Sequence, residues 1–440
     1  MSAGRLLMLI NFFPPASGGG VYRPLSFVRH LSQIGWEITV VTPRPGEFWI
    51  SDPTLMQRVP PEVHVVRTAS FSAPRLLAAR RSGAGQARRS SSRFEALRRL
   101  SQLVLLPDAY AGWLPCAVRA ADRLCREQHF DAVYSTSPPD STHLAARAVA
   151  RRRGLRWVAD FRDPWISLHL RRPPTRLHER LQRRMERQVV TGADEVIVTT
   201  GWHAGEIERR YGRTPRLIHN GFEEDEFAGA LPGPDPAAPL TITHCGMLTQ
   251  GRRSRTFLDG LAIFLEREPR ARGRIRAVFI GARESANEEW ARRPLLEGAV
   301  VFEANLPHAA CIERERRSHV LLLIKHDDER YLGLVPGKLY EYIGARRPIL
   351  ALAPPGEAAG LIERLRRGEV AGTGDPEAVA ASIARLYRLH RDGALEQAYD
   401  LSAHPEFSRR AAALKLDAVL RGAATAGGSR RMKPATGGGV

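Results

Sequence analysis

Short apolar runs that alternate with helical patterns constrain this chain more than any other feature. The first run, Leu6–Ile10, precedes a glycine-rich turn, a helical pattern from Tyr22 to Leu31, and a second apolar run, Ile38–Thr42. A strand, a turn, a helix and a second strand in this order are typical of a right-handed crossover between parallel strands. The alternation continues along most of the chain, which predicts an α/β protein with parallel sheets.

The alternation falls into two series, which predicts two domains. In the first series, apolar strands recur at Ala132–Thr136, Arg156–Asp160 and Glu195–Thr199. A segment rich in alanine, proline, glycine and aspartate, 229–239, then precedes a second series that begins at Leu240. At 440 residues the chain is long enough to bury two sizeable cores.

We place the domain boundaries where the composition changes. An N-terminal domain spans 1–220, a linker 221–239 and a C-terminal domain 240–400. Residues 401–420 are predicted to form a terminal helix that could cross back to the N-terminal domain. Residues 421–440, rich in glycine, alanine and serine, are predicted to be a disordered tail.

The chain is strongly basic, with a formal net charge of +19 and a pI of about 10.7. Such a charge favours an acidic partner: nucleic acid, an anionic membrane surface or a phosphorylated substrate. Arginines are concentrated in an insertion at about 74–99, where Glu95 is the only acid and Phe94 the only aromatic residue. The insertion is either a solvated linker or a contact to anionic lipid. Its lack of interleaved aromatic residues and of any recognition motif argues against nucleic-acid binding.

A second basic segment lies in a helix predicted at about 174–191. Together with two arginines just before the helix, the basic residues of this segment are Arg171, Arg172, Arg176, Arg180, Arg183, Arg184 and Arg187. These residues are either a solvated face or a second contact to anionic lipid.

Two observations bear on location. The four cysteines show neither zinc-site nor redox-motif spacing, which is typical of a protein of the reducing cytosol. The apolar start, Leu6–Phe13, is far shorter than the roughly 20 residues that a membrane-spanning helix needs. We therefore expect a cytoplasmic protein, with the basic segments available for peripheral docking on the inner face of the cell membrane.

The segment Gly333–Ile349 is the first candidate site. It consists of a loop rich in glycine and proline, a short helix and a new strand. Backbone N–H groups at a helix start favour an anion, and Lys338 in the first turn adds a point charge. Glu341, on the same helix, could accept hydrogen bonds from two sugar hydroxyls. The alternative is an ordinary helix start whose Lys338 and Glu341 face water.

The sequence Asp160-Phe-Arg-Asp163 is the second candidate, at the carboxyl end of a predicted strand. Asp160 and Asp163 could act as acid, base or hydroxyl-binding groups, and Arg162 could pair with them or hold phosphate. The alternative is a structural cluster of ion pairs.

Two glycine-containing loops complete the candidates. Gly18–Gly20 follows the first strand, at the edge where open α/β sheets bind ligands, although it could equally be a mobile turn. The loop Gly246–Arg253 follows the first strand of the second series and places cations before a helix start. No Gly-x-Gly-x-x-Gly fingerprint of dinucleotide binding is present.

Five segments in this order resemble the GT-B glycosyltransferases, specifically their family 4-like branch. They are Phe13-Pro-Pro-Ala-Ser-Gly-Gly, Asp160-Phe-Arg-Asp-Pro-Trp, Ile218-His-Asn-Gly-Phe, the loop Gly246–Arg253, and Pro336-Gly-Lys-Leu-Tyr-Glu-Tyr with Arg347-Pro-Ile-Leu. The five segments follow the order and spacing of the family, and together they span nearly the whole chain.

The resemblance implies two Rossmann-like domains whose parallel sheets face a cleft, with a nucleotide-sugar donor held mainly by the C-terminal half. Arg252 and Arg253 fall where this family places cations for the donor diphosphate. Glu341 matches the second glutamate of the family's pair, which typically contacts the ribose. Gly18 and Gly19 match the loop near the donor phosphate and the acceptor.

Two positions depart from the family pattern. The first glutamate of the pair falls on Gly333, and the arginine usual just after the strand-end glycine falls on Met247. Members of the family commonly act without a bound metal, which agrees with the absence of an Asp-x-Asp motif.

The expected function is transfer of a sugar from a nucleotide-sugar donor to a glycan or lipid-linked glycan, in the biosynthesis of a cell-surface polysaccharide or glycolipid. By resemblance the reaction retains the anomeric configuration and needs neither metal nor cofactor. One alternative is a nucleotide-sugar epimerase on the same fold, which would not need the basic segments. The other is a degenerate GT-B module that binds without turnover, which Gly333 and Met247 favour.

Overall fold

Two parallel sheets organise the part of the chain that the structure, a computed structural model, describes: residues 3–45, 51–71, 105–167, 173–229, 233–248 and 254–422. The seven strands of the first sheet are β1 (Gly4–Leu9), β2 (Trp36–Pro43), β3 (His64–Thr68), β4 (Ala132–Ser137), β5 (Arg156–Phe161), β6 (Glu195–Val198) and β7 (Arg216–Leu217). Their order is β3-β2-β1-β4-β5-β6-β7, and every neighbouring pair is parallel.

The second sheet has six strands in the order β10-β9-β8-β11-β12-β13, also parallel throughout. They are β8 (Leu240–Cys245), β9 (Ile275–Ile280), β10 (Val300–Glu303), β11 (Val320–Ile324), β12 (Ile349–Leu352) and β13 (Gly368–Ala371). The predicted fold class of two parallel-sheet α/β domains is confirmed.

Helices cover the sheets. In the first domain they are α1 (Gly19–Gln33), α2 (Leu114–Glu127), α3 (Ser141–Arg153), α4 (Arg176–Gly192) and α5 (Gly201–Tyr211). In the second they are α6 (Arg255–Arg267), α7 (Ser285–Ala291), α8 (His308–Arg316), α9 (Gly337–Gly344), α10 (Glu357–Arg364) and α11 (Pro376–Arg391). A last helix, α12 (Arg409–Leu420), follows.

The central strands read as continuous apolar runs because helices bury both of their faces. In β1, Leu6, Leu7, Met8 and Leu9 are fully buried, and alternate residues face two different cores. Local signals begin the helices between them. Thr200, for example, caps α5 by accepting a hydrogen bond from the backbone N–H of His203, and Gly212 ends the helix in the left-handed conformation.

The chain passes between the domains twice, and the two passages lie side by side. The N–H of Phe222 donates to the carbonyl of Phe407 at 3.1 Å, and the N–H of Arg409 donates to the carbonyl of Phe222 at 2.9 Å. Gly221 permits this approach, because a Cβ atom there would lie 2.3 Å from the Phe407 carbonyl oxygen. Beyond this crossing α12 packs into the first-domain core against α1.

The basic insertion at about 74–99, Arg171, Arg172 and most of the predicted tail lie outside the described residues. Among the described residues, no helix is long and apolar enough to cross a membrane.

Candidate active site

A cavity of about 830 Å³ lies between the two domains. Its lining includes most of the residues that the sequence singled out. From the first domain these are Gly18, Gly19, Arg162 and Asp163, and from the second domain Met247, Lys338 and Glu341. Segments up to 323 residues apart in sequence, Gly18 and Glu341, therefore meet across one cleft. The predicted cleft between facing domains is confirmed.

The glycine loop of the first domain leads into α1 at one edge of this cavity. Gly18 has a φ of 108°, in the left-handed region that favours glycine, and no side chain caps the helix start. A Cβ atom at Gly18 or Gly19 would meet no atom within 4 Å, so this backbone is open to the cavity. The loop can thus present backbone N–H groups to a bound ligand.

Asp160 lies outside the cavity, in a buried ion pair. The Arg23 guanidinium donates to both Asp160 oxygens, at 2.9 and 3.0 Å, and the Tyr134 hydroxyl donates to one of them. Burial by itself raises the pKa of Asp160, but the charge and hydrogen bonds of Arg23 outweigh it and the net pKa is lowered. In this placement the carboxylate stays ionised and both of its oxygens already accept hydrogen bonds, so the geometry does not support the predicted catalytic role of Asp160. The structural alternative fits, with Arg23 as the partner instead of Arg162.

The ion pair also positions the hinge between the domains. Arg23 donates to the carbonyl oxygen of His219 at 2.8 Å, and a longer contact of 3.4 Å reaches the Asn220 side chain. One buried cluster thus joins α1, the end of β5 and the first interdomain crossing.

Arg162 clamps backbone carbonyls. Its guanidinium donates to the carbonyl of Ser137 at 2.9 Å and also to those of Pro138 and Gly20. These bonds fix the glycine loop against the end of β4, so the predicted pairing with Asp160 is not the one formed. Burial lowers the pKa of Arg162, and the nearby charge of Asp163 partly offsets this.

Asp163 is the residue of this motif that reaches the cavity as an available acid. Its carboxylate is half-buried and lines the cavity, and no hydrogen bond to it is found among the described residues. A carboxylate in this position can accept a hydrogen bond or a proton from a ligand hydroxyl.

In the second domain, Lys338 and Gly246 come together. The helix α9 begins after Pro336 without a side-chain cap, and Lys338 lies in its first turn. A Cβ atom at Gly246 would lie 3.0 Å from the Lys338 ammonium nitrogen, so the ammonium group lies against the Gly246 backbone. The two loops predicted separately as anion sites therefore form a single site.

Carboxylates keep Lys338 cationic. Burial by itself lowers the pKa of the Lys338 ammonium group, but the nearby carboxyl groups of Glu315 and Glu341 outweigh it and the net pKa is raised. Burial also raises the pKa of Glu315 well above its ordinary value, so Glu315 is the weaker of the two as a negative partner. Glu341 lines the cavity, whereas Glu315 is fully buried, and neither of its oxygens has a hydrogen bond among the described residues. No hydrogen bond from the Lys338 ammonium to a described residue is found, so its donors remain for a ligand.

Arg252 and Arg253 lie outside the described residues, but both ends of their loop are held. The Asn287 side chain accepts from the N–H and the hydroxyl of Ser254, each at 2.9 Å, and donates to the carbonyl of Leu248 at 3.1 Å. Asn287 is fully buried. Leu248 and Ser254, the described residues on either side of 249–253, are therefore held together close to Met247, which lines the cavity and is half exposed.

Gly333, which departs from the family pattern, contacts a residue of the first domain. Gly333 is buried against Trp202 of α5, and a Cβ atom at position 333 would lie only 2.2 Å from Trp202 Cε3. The backbone N–H of Trp202 in turn donates to the Glu357 side chain of the second domain. The indole thus occupies the space that a side chain at 333 would need, and the two domains contact each other here.

Several site residues escaped the sequence reasoning. Arg23, Tyr22, His308 and Arg409 line the cavity, and Asn287 holds the loop beside it. Each lies within or next to an amphipathic helix, and no local signal distinguishes it from an ordinary surface or core position. No group of three or more His, Cys, Asp or Glu residues able to hold a metal ion is found in the described ranges.

Comparison with known proteins identifies the first domain. Residues 18–221 match a family model described as a glycosyl transferase 4-like domain. Among curated proteins, no significant match to the sequence is found.

Solved structures show the same two-domain fold. Sucrose-phosphate synthase from Thermosynechococcus elongatus superposes with a TM-score of 0.62 at 14% identity, over 95% of this chain and 98% of that one. Anabaena HepE in complex with UDP-glucose superposes with a TM-score of 0.62 at 14% sequence identity, over 95% of this chain and 100% of that one. The lipopolysaccharide outer core galactosyltransferase WaaB superposes with a TM-score of 0.57 at 13% sequence identity, over 95% of this chain and 99% of that one.

Proposed function

Since this chain has the GT-B fold of glycosyltransferases, with a glycosyl transferase 4-like domain at residues 18–221, we propose that it moves a sugar from a nucleotide-sugar donor to an acceptor hydroxyl within the interdomain cavity. The second domain holds the donor, with its diphosphate at Lys338 and Gly246. The first domain presents the acceptor beside Asp163. The observation that carries this proposal is the cationic Lys338 without a protein hydrogen-bond partner among the described residues, at an uncapped helix start that faces the glycine loop.

The diphosphate is the group that these features fit best. When the bond from the anomeric carbon to the diphosphate oxygen breaks, its electron pair moves to the leaving diphosphate, and negative charge builds there. The Lys338 ammonium, the first N–H groups of α9 and the glycine loop can stabilise that charge without reorganisation. The resemblance to the family also assigns Arg252 and Arg253 to this charge.

Glu341 is assigned to the donor nucleoside. It lies one turn beyond Lys338 on the same helix and lines the cavity. Its position matches the family's ribose-binding glutamate, and a carboxylate can accept from two vicinal hydroxyls. The family pattern also implies that the acceptor attacks from the face that the diphosphate leaves, so that the anomeric configuration is retained.

Asp163 is assigned to the acceptor side. The acceptor oxygen forms the new bond to the anomeric carbon and loses its proton late, to Asp163 or to the departing phosphate. Arg162 keeps this wall in place through its bonds to the backbone of the glycine loop. We propose no metal and no cofactor in this reaction.

The acceptor is proposed to be a glycan or a lipid-linked glycan at the inner face of the cell membrane, in a pathway that makes a cell-surface polysaccharide or glycolipid. Support comes from the first domain, where α4 exposes Arg176, Arg180, Arg184 and Arg187, with Leu177 62% exposed beside them. The fold itself leaves the acceptor open, because the structural neighbours include both a sucrose-phosphate synthase and a lipopolysaccharide galactosyltransferase.

A two-stage experiment tests the function. A thermal-shift screen of nucleoside diphosphates and nucleotide sugars should find at least one that raises the melting temperature, because a ligand that binds the folded state stabilises it. Incubation of that nucleotide sugar with membrane lipid extracts should then give a glycosylated product, detected by mass spectrometry. Conversion of the donor into an isomeric sugar without acceptor would support the epimerase instead, and binding without any product would support the degenerate module.

A further inference from the structure

Tyr22 and His308 bring the two domains into contact at the edge of the cavity. Tyr22 lies in the first turn of α1, directly after the glycine loop, and His308 is the first residue of α8 in the second domain. Their rings stack with centroids 5.4 Å apart and an interplanar angle of 29°. Both side chains line the cavity. The glycine loop is therefore connected to the second domain through one aromatic pair.

The charges around His308 come from four parts of the chain. Its Nε2 atom lies 3.1 Å from a carboxylate oxygen of Glu226 in the linker, and Arg58 of the first domain donates to the other oxygen at 2.7 Å. Glu341 of α9 acts on His308 from the cavity side. The guanidinium of Arg409, from α12, lies 5.4 Å from the centre of the Tyr22 ring and is the opposing positive charge.

The nearby carboxylates together raise the pKa of His308 more than burial and Arg409 lower it. Burial by itself lowers the pKa of the imidazole, and Arg409 also lowers it, but the hydrogen bond and charge of Glu226 and the charge of Glu341 raise the net pKa above 6.5. With Nε2 donating to Glu226, the imidazolium form carries a second N–H at Nδ1. No hydrogen bond from Nδ1 to a described residue is found, so this donor remains for a ligand in the cavity.

We propose that His308 acts as a cationic positioning residue that binds the donor diphosphate and, through its stack with Tyr22, holds the glycine loop closed over it. This inference rests on the proposed function and adds to it a residue that the family pattern does not supply. An imidazolium attracts the face of the Tyr22 ring more strongly than a neutral imidazole does, so one protonation strengthens both the loop contact and the phosphate contact. Loss of that proton weakens both at once.

The sign of the pH dependence follows from this arrangement. The interaction is fully present below the pKa of free imidazole and is lost as the pH rises through the raised pKa of His308 in the closed protein. Between about pH 7 and about pH 9 the diphosphate is mostly ionised, because the second pKa of a terminal phosphate is about 6. Lys338 remains cationic, so a fall in affinity that is lost in His308→Gln reports on His308.

Titration calorimetry with UDP across this range tests the proposal. The wild-type affinity should fall at least about tenfold from the low to the high end, the size of one charge-assisted hydrogen bond. His308→Gln should bind weakly at every pH, without the slope. His308→Lys should recover part of the affinity at the high end, because its ammonium group stays protonated there. His129→Gln is the matched control, an exposed histidine in the first domain whose variant should follow the wild type.

Variants of Tyr22 separate the loop contact from the phosphate contact. Tyr22→Phe should keep the stack and the wild-type behaviour, whereas Tyr22→Leu should lose a large part of the affinity, with His308 unchanged. Circular dichroism melting curves confirm that each variant is folded. A pH slope that survives in His308→Gln overturns the proposal, and wild-type affinity in Tyr22→Leu overturns its loop half. Failure of the wild type to bind UDP or any other nucleoside diphosphate would instead remove the proposed function itself.

Discussion

The two walls of the cavity differ in how several of their charged residues are bonded. On the first-domain wall, the ionic groups are occupied by the protein itself: Arg23 pairs with Asp160, and Arg162 is bonded to three backbone carbonyls. On the second-domain wall, Lys325 likewise donates to two backbone carbonyls, whereas the side chains of Lys338 and Glu341 have no hydrogen bond among the described residues. The first wall is a rigid scaffold with one available acid, Asp163, whereas the second presents charges that a ligand can satisfy.

This difference shows how one cleft can combine a rigid wall with charged side chains that remain available to a ligand. A buried ion pair with complete hydrogen bonding fixes geometry, at the cost that removing one partner leaves an uncompensated buried charge. A cationic side chain without a protein hydrogen bond can instead form charge-assisted hydrogen bonds to a bound phosphate. The predictions below test this contrast, from the largest expected effect to the smallest.

Asp160→Asn should destabilise the protein most, because it leaves Arg23 buried without its charged partner. We expect the free energy of unfolding to fall by about 3–5 kcal/mol, measured by urea denaturation. Because the pKa of Asp160 is lowered in the folded state, the wild type should lose the same contribution only as the pH falls below about 4.

Asp163→Asn is the matched comparison, three residues along. Its stability should change by less than about 1 kcal/mol, since the side chain has no hydrogen bond among the described residues. Turnover should fall about 10²–10⁴-fold if Asp163 takes the acceptor proton, with nucleoside-diphosphate affinity nearly intact. A collapsed melting transition in Asp163→Asn would show that both aspartates are structural, and the contrast between the walls would be wrong.

Lys338→Ala should weaken binding of the nucleoside diphosphate by about 1.5–3 kcal/mol, at least about tenfold. Arg252→Ala should have a similar effect. Lys415→Ala, an exposed lysine of α12, is the control and should bind as the wild type does. Calorimetry decides the matter: unchanged affinity in both Lys338→Ala and Arg252→Ala would remove the diphosphate from this site.

Gly333→Ala should destabilise the contact between the domains, because its new Cβ atom would lie 2.2 Å from Trp202 Cε3. Overpacking of this kind costs about 1–3 kcal/mol, which thermal unfolding would show. Gly374→Ala, where a Cβ atom meets nothing within 4 Å, is the control. If both variants melt like the wild type, Trp202 moves freely and the departure at Gly333 has another reason.

Membrane docking is the smallest effect per residue, about 1 kcal/mol for each arginine near an anionic surface. Sedimentation with vesicles of phosphatidylcholine and phosphatidylserine should show binding that requires the anionic lipid and fades at high salt, since exposed charges are screened. The triple variant Arg180→Glu, Arg184→Glu and Arg187→Glu on α4 should weaken it. The corresponding change at Arg270, Arg272 and Arg274 of the second domain should not. A wild-type protein that stays in the supernatant at low salt would favour a soluble acceptor.

Most of the secondary structure could be predicted from the sequence, and the two strands that were missed share a cause. Central strands such as β4 and β11 are buried at every position, and β11 is apolar throughout. The strands β3 and β13, by contrast, were not predicted. They lie at the edges of their sheets and are half-exposed, so they lack the apolar run that marks a central strand.

The sequence by itself determined the alternation of strands and helices, the two series, and the loops in which glycine and lysine lie near helix starts. It could do so because burial, backbone freedom and capping act between residues a few positions apart. Only the tertiary structure decided which aspartate of Asp160-Phe-Arg-Asp163 is structural. The deciding partner, Arg23, is 137 residues from Asp160. The contacts of Tyr22 with His308 and of Trp202 with Gly333 were likewise decided by folding, because residues so far apart in the chain meet only when the two domains close on one another.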